Sequence, residues 1–190
     1  MHPLAMDLGD YAFLPEERRA ALNSYPRNNV YFYKSSLTDW HYHHSSEALQ
    51  TQILGTKEVL LLPPTESVWS YMHDLQNKRL SLYDADFGAY PQALREVPLR
   101  AVLEAGDALF IPIFWWHLVS TRGNRSLGAT VPTWWRSPSH VQFDRSFPAV
   151  RAFLAAMTRS NAIPLWQRAR IYPWLIGGLA KRFAWKVWHG

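Results

Sequence analysis

The spacing of apolar residues changes twice along this chain. Residues 1–29 read as a loop with a short helix at 15–22, closed by Tyr25-Pro26. From residue 30 the apolar and β-branched positions fall into short runs at 30–34, 40–44, 50–54, 58–62, 100–103, 108–111, 116–121 and 126–135. Between them stand Gly55-Thr56, Pro63-Pro64, Ala105-Gly106-Asp107 and Arg122-Gly123-Asn124. Such residues favour turns, because Gly accepts positive φ and Pro cannot donate to a ladder. Runs this short and this evenly punctuated predict an all-β sandwich or barrel rather than βαβ units. Residues 65–98, with Asp84, Asp86, Tyr90 and Pro91, read as a polar, irregular insertion. After Pro138 the period becomes helical. Val150, Phe153, Leu154 and Met157 share a face of a helix over 147–158. A second helix begins at Ile163-Pro164, and Gly177-Gly178 separates it from a final helical stretch at 179–188. The expected organisation is therefore 1–29 as an entry segment, 30–136 as a β core and 137–190 as a helical appendage.

Charge sharpens this division. Of the 20 Lys and Arg, seven lie in residues 151–190, which hold no acid. Residues 1–150 are left with thirteen basic against all 15 acidic residues. The basic character belongs to the tail, so a nucleic-acid-binding core is not expected. The longest run without charge, 108–121, contains a Pro and a His. It is shorter than the ~20 apolar residues that a membrane span needs. No apolar run follows the first residues, so the cytoplasm is the expected compartment. There is no Cys, which leaves nitrogen and oxygen as the donors for any metal.

Those donors cluster. In Trp40-His41-Tyr42-His43-His44-Ser45-Ser46-Glu47, a strand would turn His41 and His43 to one side. Two imidazoles so placed suit adjacent positions around one metal ion, and Glu47 is placed to add a carboxylate from the turn that follows. The alternative is a polar strand edge or an exposed His cluster. Far downstream, Gly106-Asp107 enters an apolar strand that ends in Pro112-Ile113-Phe114-Trp115-Trp116-His117. A sheet folding back on itself would bring His117 to the same point as the third ligand, though a His among aromatics is also a common core residue.

The order of these segments resembles the JmjC-type cupin oxygenases, in particular the asparaginyl-hydroxylase-like group typified by factor inhibiting HIF. The likeness covers about residues 30–138. Thr38 to His43 is similar to the family's Thr-x-x-His-x-Asp segment, and Gln52 to Lys57, followed by Leu60 to Pro64, to its Gln…Gly-x-Lys…Pro-Pro stretch. Asp86…Tyr90-Pro91 is similar to its Asp…Phe-Pro linker, Gly106 to His117 to its Gly-Asp…Ile-Pro-x-x-Trp-Trp-His segment, and Trp134-Trp135-Arg136 to its closing strand. The resemblance implies a double-stranded β-helix (jelly roll), Fe(II), and 2-oxoglutarate as cosubstrate. It maps the family's metal-binding His residues onto His41 and His117. It maps the Lys and Thr that hold the far carboxylate of 2-oxoglutarate onto Lys57 and Thr38. Two departures stand out. The family's carboxylate ligand falls on His43, and the closing strand carries Pro132 where an Asn is common.

His41-x-His43-x-x-x-Glu47 is also close to the first motif of general cupins, whose site has three His and one Glu. Three functions follow as expectations. The first is an Fe(II)/2-oxoglutarate-dependent hydroxylase acting on a small molecule, protein or peptide. The second is a general cupin dioxygenase or isomerase, and the third a degenerate cupin that only binds. For the tail, residues 163–190 suit a helical appendage that packs on the core or dimerises. Their interleaved Trp and basic residues also suit a membrane surface, which would make the protein peripheral to a membrane.

Overall fold

In the computed structural model, residues 30–77, 96, 98–121, 126–158, 173, 176–181 and 183 are described. The longest pairing joins β2 (Ser46–Leu54) to β7 (Gly128–Arg136) in antiparallel register, from Ser46↔Arg136 to Leu54↔Ala129. β1 (Tyr31–Tyr33) flanks β7, and β5 (Ala108–Ile111) flanks β2, giving a sheet in the order β1-β7-β2-β5. A second antiparallel sheet runs β4-β3-β6, from β3 (Lys57–Leu62), β4 (Leu99–Leu103) and β6 (Trp116–Ser120). The core is all-β, as expected, with the inward positions of the strands buried: Ala48, Val59, Leu103, Ile111, Val131 and Trp135 among them.

The expected strand at 40–44 is not formed as such. Instead, residues 36–41 run antiparallel beside β6, tied by Thr38 N–H to Val119 O (2.9 Å), Thr121 N–H to Ser36 O (2.8 Å) and bridges at Leu37↔Ser120 and His41↔His117. The pairing stops at His41, and the chain is irregular from Tyr42 to Ser45 before β2 begins. Pro132 is tolerated inside β7 because its partnership with β1 has ended at Thr130. Pro132 therefore faces a partner strand only at Gln50 of β2. Gly55, at φ 70°, closes the turn between β2 and β3 in a conformation that a side chain would strain.

The described residues divide into two compact units. One comprises residues 30–61, 99–113, 117–121 and 126–137 and holds the sheets; the other comprises 62–77, 96, 98, 114–116 and the described residues from 138 onward. In the second unit, residues 66–77 correct the expected irregular insertion. They form helix α1 (Glu66–Asn77), entered from Pro63-Pro64 and capped by the Thr65 hydroxyl accepting from Val68 N–H at 3.4 Å. Val68, Tyr71 and Met72 supply its buried face at helical spacing, a pattern masked in the sequence by polar neighbours. The rest of that insertion, like residues 1–29, lies almost wholly outside the described residues. After the short helix α2 (Ser139–Gln142), α3 (Pro148–Thr158) begins with Pro at its first position, where no N–H is missed. Gly177 and Gly178 are helical and do not separate two segments as expected. A Cβ on Gly178 would fall 1.9 Å from the Phe143 ring, so this glycine serves close packing.

Close approach matters most at Gly128. It lies opposite Tyr33 in the β1–β7 register, and a Cβ there would stand 2.2 Å from the Tyr33 ring. Gly128→Ala should therefore displace the ring and lower stability by about 1–3 kcal/mol. Urea denaturation measures this, and an unchanged midpoint would mean that the ring is free to move aside.

Candidate metal centre

His41 and His117 are brought together by backbone pairing. His41 N–H donates to His117 O at 3.1 Å, and His117 N–H donates to His41 O at 2.8 Å. Their rings lie 4.1 Å apart between centroids. His43 comes in from the irregular segment that follows, 5.7 Å from the His41 ring and 4.9 Å from that of His117. One ring nitrogen from each of the three lies within 4.8 Å of the others, and the group grades from buried His117 to exposed His41. The convergence expected from strand geometry is thus reached by a bridge and a bend.

The chemistry of the donors fits a divalent transition metal. His41 Nδ1 lies 2.9 Å from Asp39 O, which fixes Nδ1–H as donor and leaves the lone pair on Nε2. His43 Nδ1 is buried with no hydrogen-bond partner, a lone pair that a metal ion would satisfy. Burial, reinforced by His41 and His44, holds the His43 pKa down to about 4, so its imidazole is neutral at ordinary pH and able to ligate.

The expected fourth ligand, Glu47, stands apart from this group. It is buried in β2, where its two oxygens accept from Trp135 Nε1–H at 2.8 Å and Ser137 Oγ–H at 2.9 Å. A strand beginning at Ser46 turns Glu47 toward the core instead of leaving it in the turn. His44 is exposed and also outside the cluster. Among the described residues, the cluster contains no carboxylate.

The three imidazoles line a cavity of about 430 Å³, within the usual range for small-molecule sites. Thr38 and Lys57 line it too, and none of its described lining residues is Asp or Glu. Lys57 is buried, and its Nζ donates to Gln50 Oε1 at 3.0 Å and to Thr130 Oγ1 at 3.1 Å. Burial alone pushes its pKa down to about 8. Thr38 Oγ1 accepts from Val119 N–H at 2.8 Å, which leaves its own proton to give. Sequence reasoning missed the groups behind Lys57. Thr130 Oγ1–H donates to Gln52 Oε1 at 2.6 Å, and Gln52 Nε2 donates to Leu54 O at 2.7 Å and to the Tyr33 hydroxyl. Two glutamines two apart on an apolar strand, Gln50 and Gln52, were the available signal. The lining also includes Trp134, edge-on to Tyr31 at 6.1 Å and near His43 at 6.5 Å.

Comparison with known proteins agrees with this picture. A family model described as a cupin-like domain matches residues 8–140. The tRNA wybutosine-synthesizing protein 5 of Danio rerio is 26% identical over 121 residues, covering 64% of this chain and 36% of that protein. The Jumonji C domain-containing protein 5 of Drosophila melanogaster is 28% identical over 91 residues, covering 46% of this chain and 22% of that protein. This chain thus spans about a third or less of these relatives' lengths. The Drosophila melanogaster CENP-C cupin domain aligns with a TM-score of 0.36 at 11% identity, over 57% of this chain and 58% of that one. The family model and the two sequence relatives support the wider cupin and JmjC grouping, and do not single out the asparaginyl-hydroxylase-like group that the sequence suggested.

The geometry separates two roles by mutation. His117→Ala should abolish binding of a single divalent ion, read by metal analysis after dialysis. Glu47→Ala should leave metal content unchanged yet lower stability by about 1–3 kcal/mol, because the buried Trp135 and Ser137 donors lose their acceptor. Metal lost in the Glu47 variant, with the fold intact, would return Glu47 to the ligand set.

Proposed function

The chain belongs to the cupin-like domain family, and on that premise we propose that it is a metal-dependent oxygenase using Fe(II) and 2-oxoglutarate to hydroxylate its substrate. The observation that carries this reading is a cavity whose described lining residues include no Asp or Glu, with three converging imidazoles and a buried ammonium among them. His41, His43 and His117 would hold the metal. When bound, the metal would supply the redox chemistry that couples dioxygen to decarboxylation of the 2-oxo acid.

The remaining work falls to side chains. The Lys57 ammonium offers a charge-assisted hydrogen bond to a carboxylate in a setting that screens it poorly. Gln50 and Thr130 hold that ammonium in place. Thr38 offers a hydroxyl proton to the same anion. A dianion therefore meets donors on the cavity wall and no competing carboxylate among the described residues.

A three-imidazole site used without 2-oxoglutarate, as in a general cupin dioxygenase or isomerase, is the second reading. The missing carboxylate in the cluster favours it. A cupin that binds without turnover would lack activity under either scheme.

Anaerobic addition of 2-oxoglutarate to the Fe(II)-loaded protein separates these readings. A visible charge-transfer band is expected, followed by succinate release in air. No band at saturating metal and 2-oxoglutarate would leave the second reading. Lys57→Ala should weaken 2-oxoglutarate binding about ten- to a hundredfold while metal content stays the same. The ammonium is charged below its pKa of about 8 and neutral above it. Affinity for the dianion should accordingly fall as pH rises through about 8, by up to tenfold per unit, and Lys57→Arg should flatten that fall. His43→Asp would restore the family's carboxylate and should increase succinate release; a decrease would mean that the three-imidazole set is the working one.

A further inference from the structure

Residues 173, 176–181 and 183 are helical, with Gly178 buried, Leu179 half-buried and the others exposed. Gly178 is buried against Phe143, so that side of the segment is covered. Ile176, Ala180 and Phe183 follow at intervals of four and three, which places them together on the opposite side. All three are exposed, Ile176 to 64% and Phe183 to 71%. Lys181, also exposed, lies between the covered side and this stripe. This apolar stripe lies in the part of the chain with the strongest charge: residues 151–190 hold seven Lys and Arg, no acid, and four of the ten Trp.

We propose that this helical segment lies on an anionic lipid surface, with Ile176, Ala180 and Phe183 in the headgroup–acyl boundary and Lys181 reaching the lipid phosphates. An exposed apolar stripe inside an acid-free basic segment is complementary to such a surface in both charge and polarity. Trp is suited to the same interface. No helix among the described residues is long and apolar enough to cross a membrane, so the contact lies in the plane of the surface. A second copy of the chain fits less well, because two segments of like charge would repel. A nucleic acid would match the charge but leave the aliphatic side chains of Ile176 and Ala180 against phosphate and water.

The full chain should co-sediment with vesicles of phosphatidylcholine and phosphatidylglycerol, and not with phosphatidylcholine alone. Raising the salt concentration should release it. Phe183→Asp and Ile176→Asp should each reduce partitioning by roughly tenfold, and Phe183→Leu should retain it. Lys181→Glu should also weaken partitioning, by roughly five- to tenfold. These positions are exposed, so an unchanged thermal midpoint verifies folding in each variant. The proposal is overturned if the wild type ignores anionic vesicles or if Phe183→Asp binds them as well as wild type. It is equally overturned if the wild type is retained by tRNA but not vesicles, or if the stripe only supports a dimer that Phe183→Asp dissolves.

Discussion

Two hydrogen bonds between the backbones of His41 and His117 hold the centre together. They make a reciprocal pair beside β6, and they fix two imidazoles side by side before any ligand is considered. Because the bonds run through the main chain, the side chains remain available. The third imidazole needs a different device. Pairing ends at His41, the chain bends, and His43 swings back toward the first two instead of following the strand outward. The bend after His41 thus leaves the third imidazole 5.7 Å from the first ring and 4.9 Å from that of His117.

The same sheets carry an unusual burden at the cavity. A lysine, two glutamines and a threonine occupy positions where apolar side chains would be less costly. Lys57 is 3% exposed and Gln52 fully buried, yet both have partners at hydrogen-bond distance. Glu47 is a second buried polar group with a different purpose. Trp135 and Ser137 consume its carboxylate, so it joins β2 to the end of β7 and is unavailable to the cluster. A fully satisfied buried carboxylate specifies register in a way that an apolar residue cannot.

The order of the strands was legible because turn residues punctuate it, and the runs at 58–62, 100–103 and 108–111 lie within a residue or so of β3, β4 and β5. His41, His43 and His117 were legible as a group because imidazole is rare enough that its spacing carries information. Glu47 was misread for a physical reason: β2 starts four residues earlier than the apolar run suggests, and a strand residue and a turn residue of the same type face different surroundings. Helix α1 was missed because its apolar stripe of Val68, Tyr71 and Met72 is diluted by Ser, His and Asp on the outer face. Gly177 and Gly178 looked like a break because glycine weakens helices, but packing against Phe143 outweighs that propensity.

The row of donors from Lys57 through Thr130 and Gln52 to Tyr33 has only one consistent direction. An ammonium can only donate, so Thr130 must receive from it and pass its own proton to the Gln52 oxygen. That sets the orientation of the Gln52 amide, whose nitrogen then donates to the Tyr33 oxygen. The phenolic proton of Tyr33, itself in the cavity lining, is left pointing elsewhere than back along the row. Each bond in such a series polarises the next, so the proton orientations along the row are coupled. Lys57 and Tyr33, separated by 24 positions in sequence and carried by different sheets, therefore constitute one energetic unit, and the effect of altering both is not the sum of altering each.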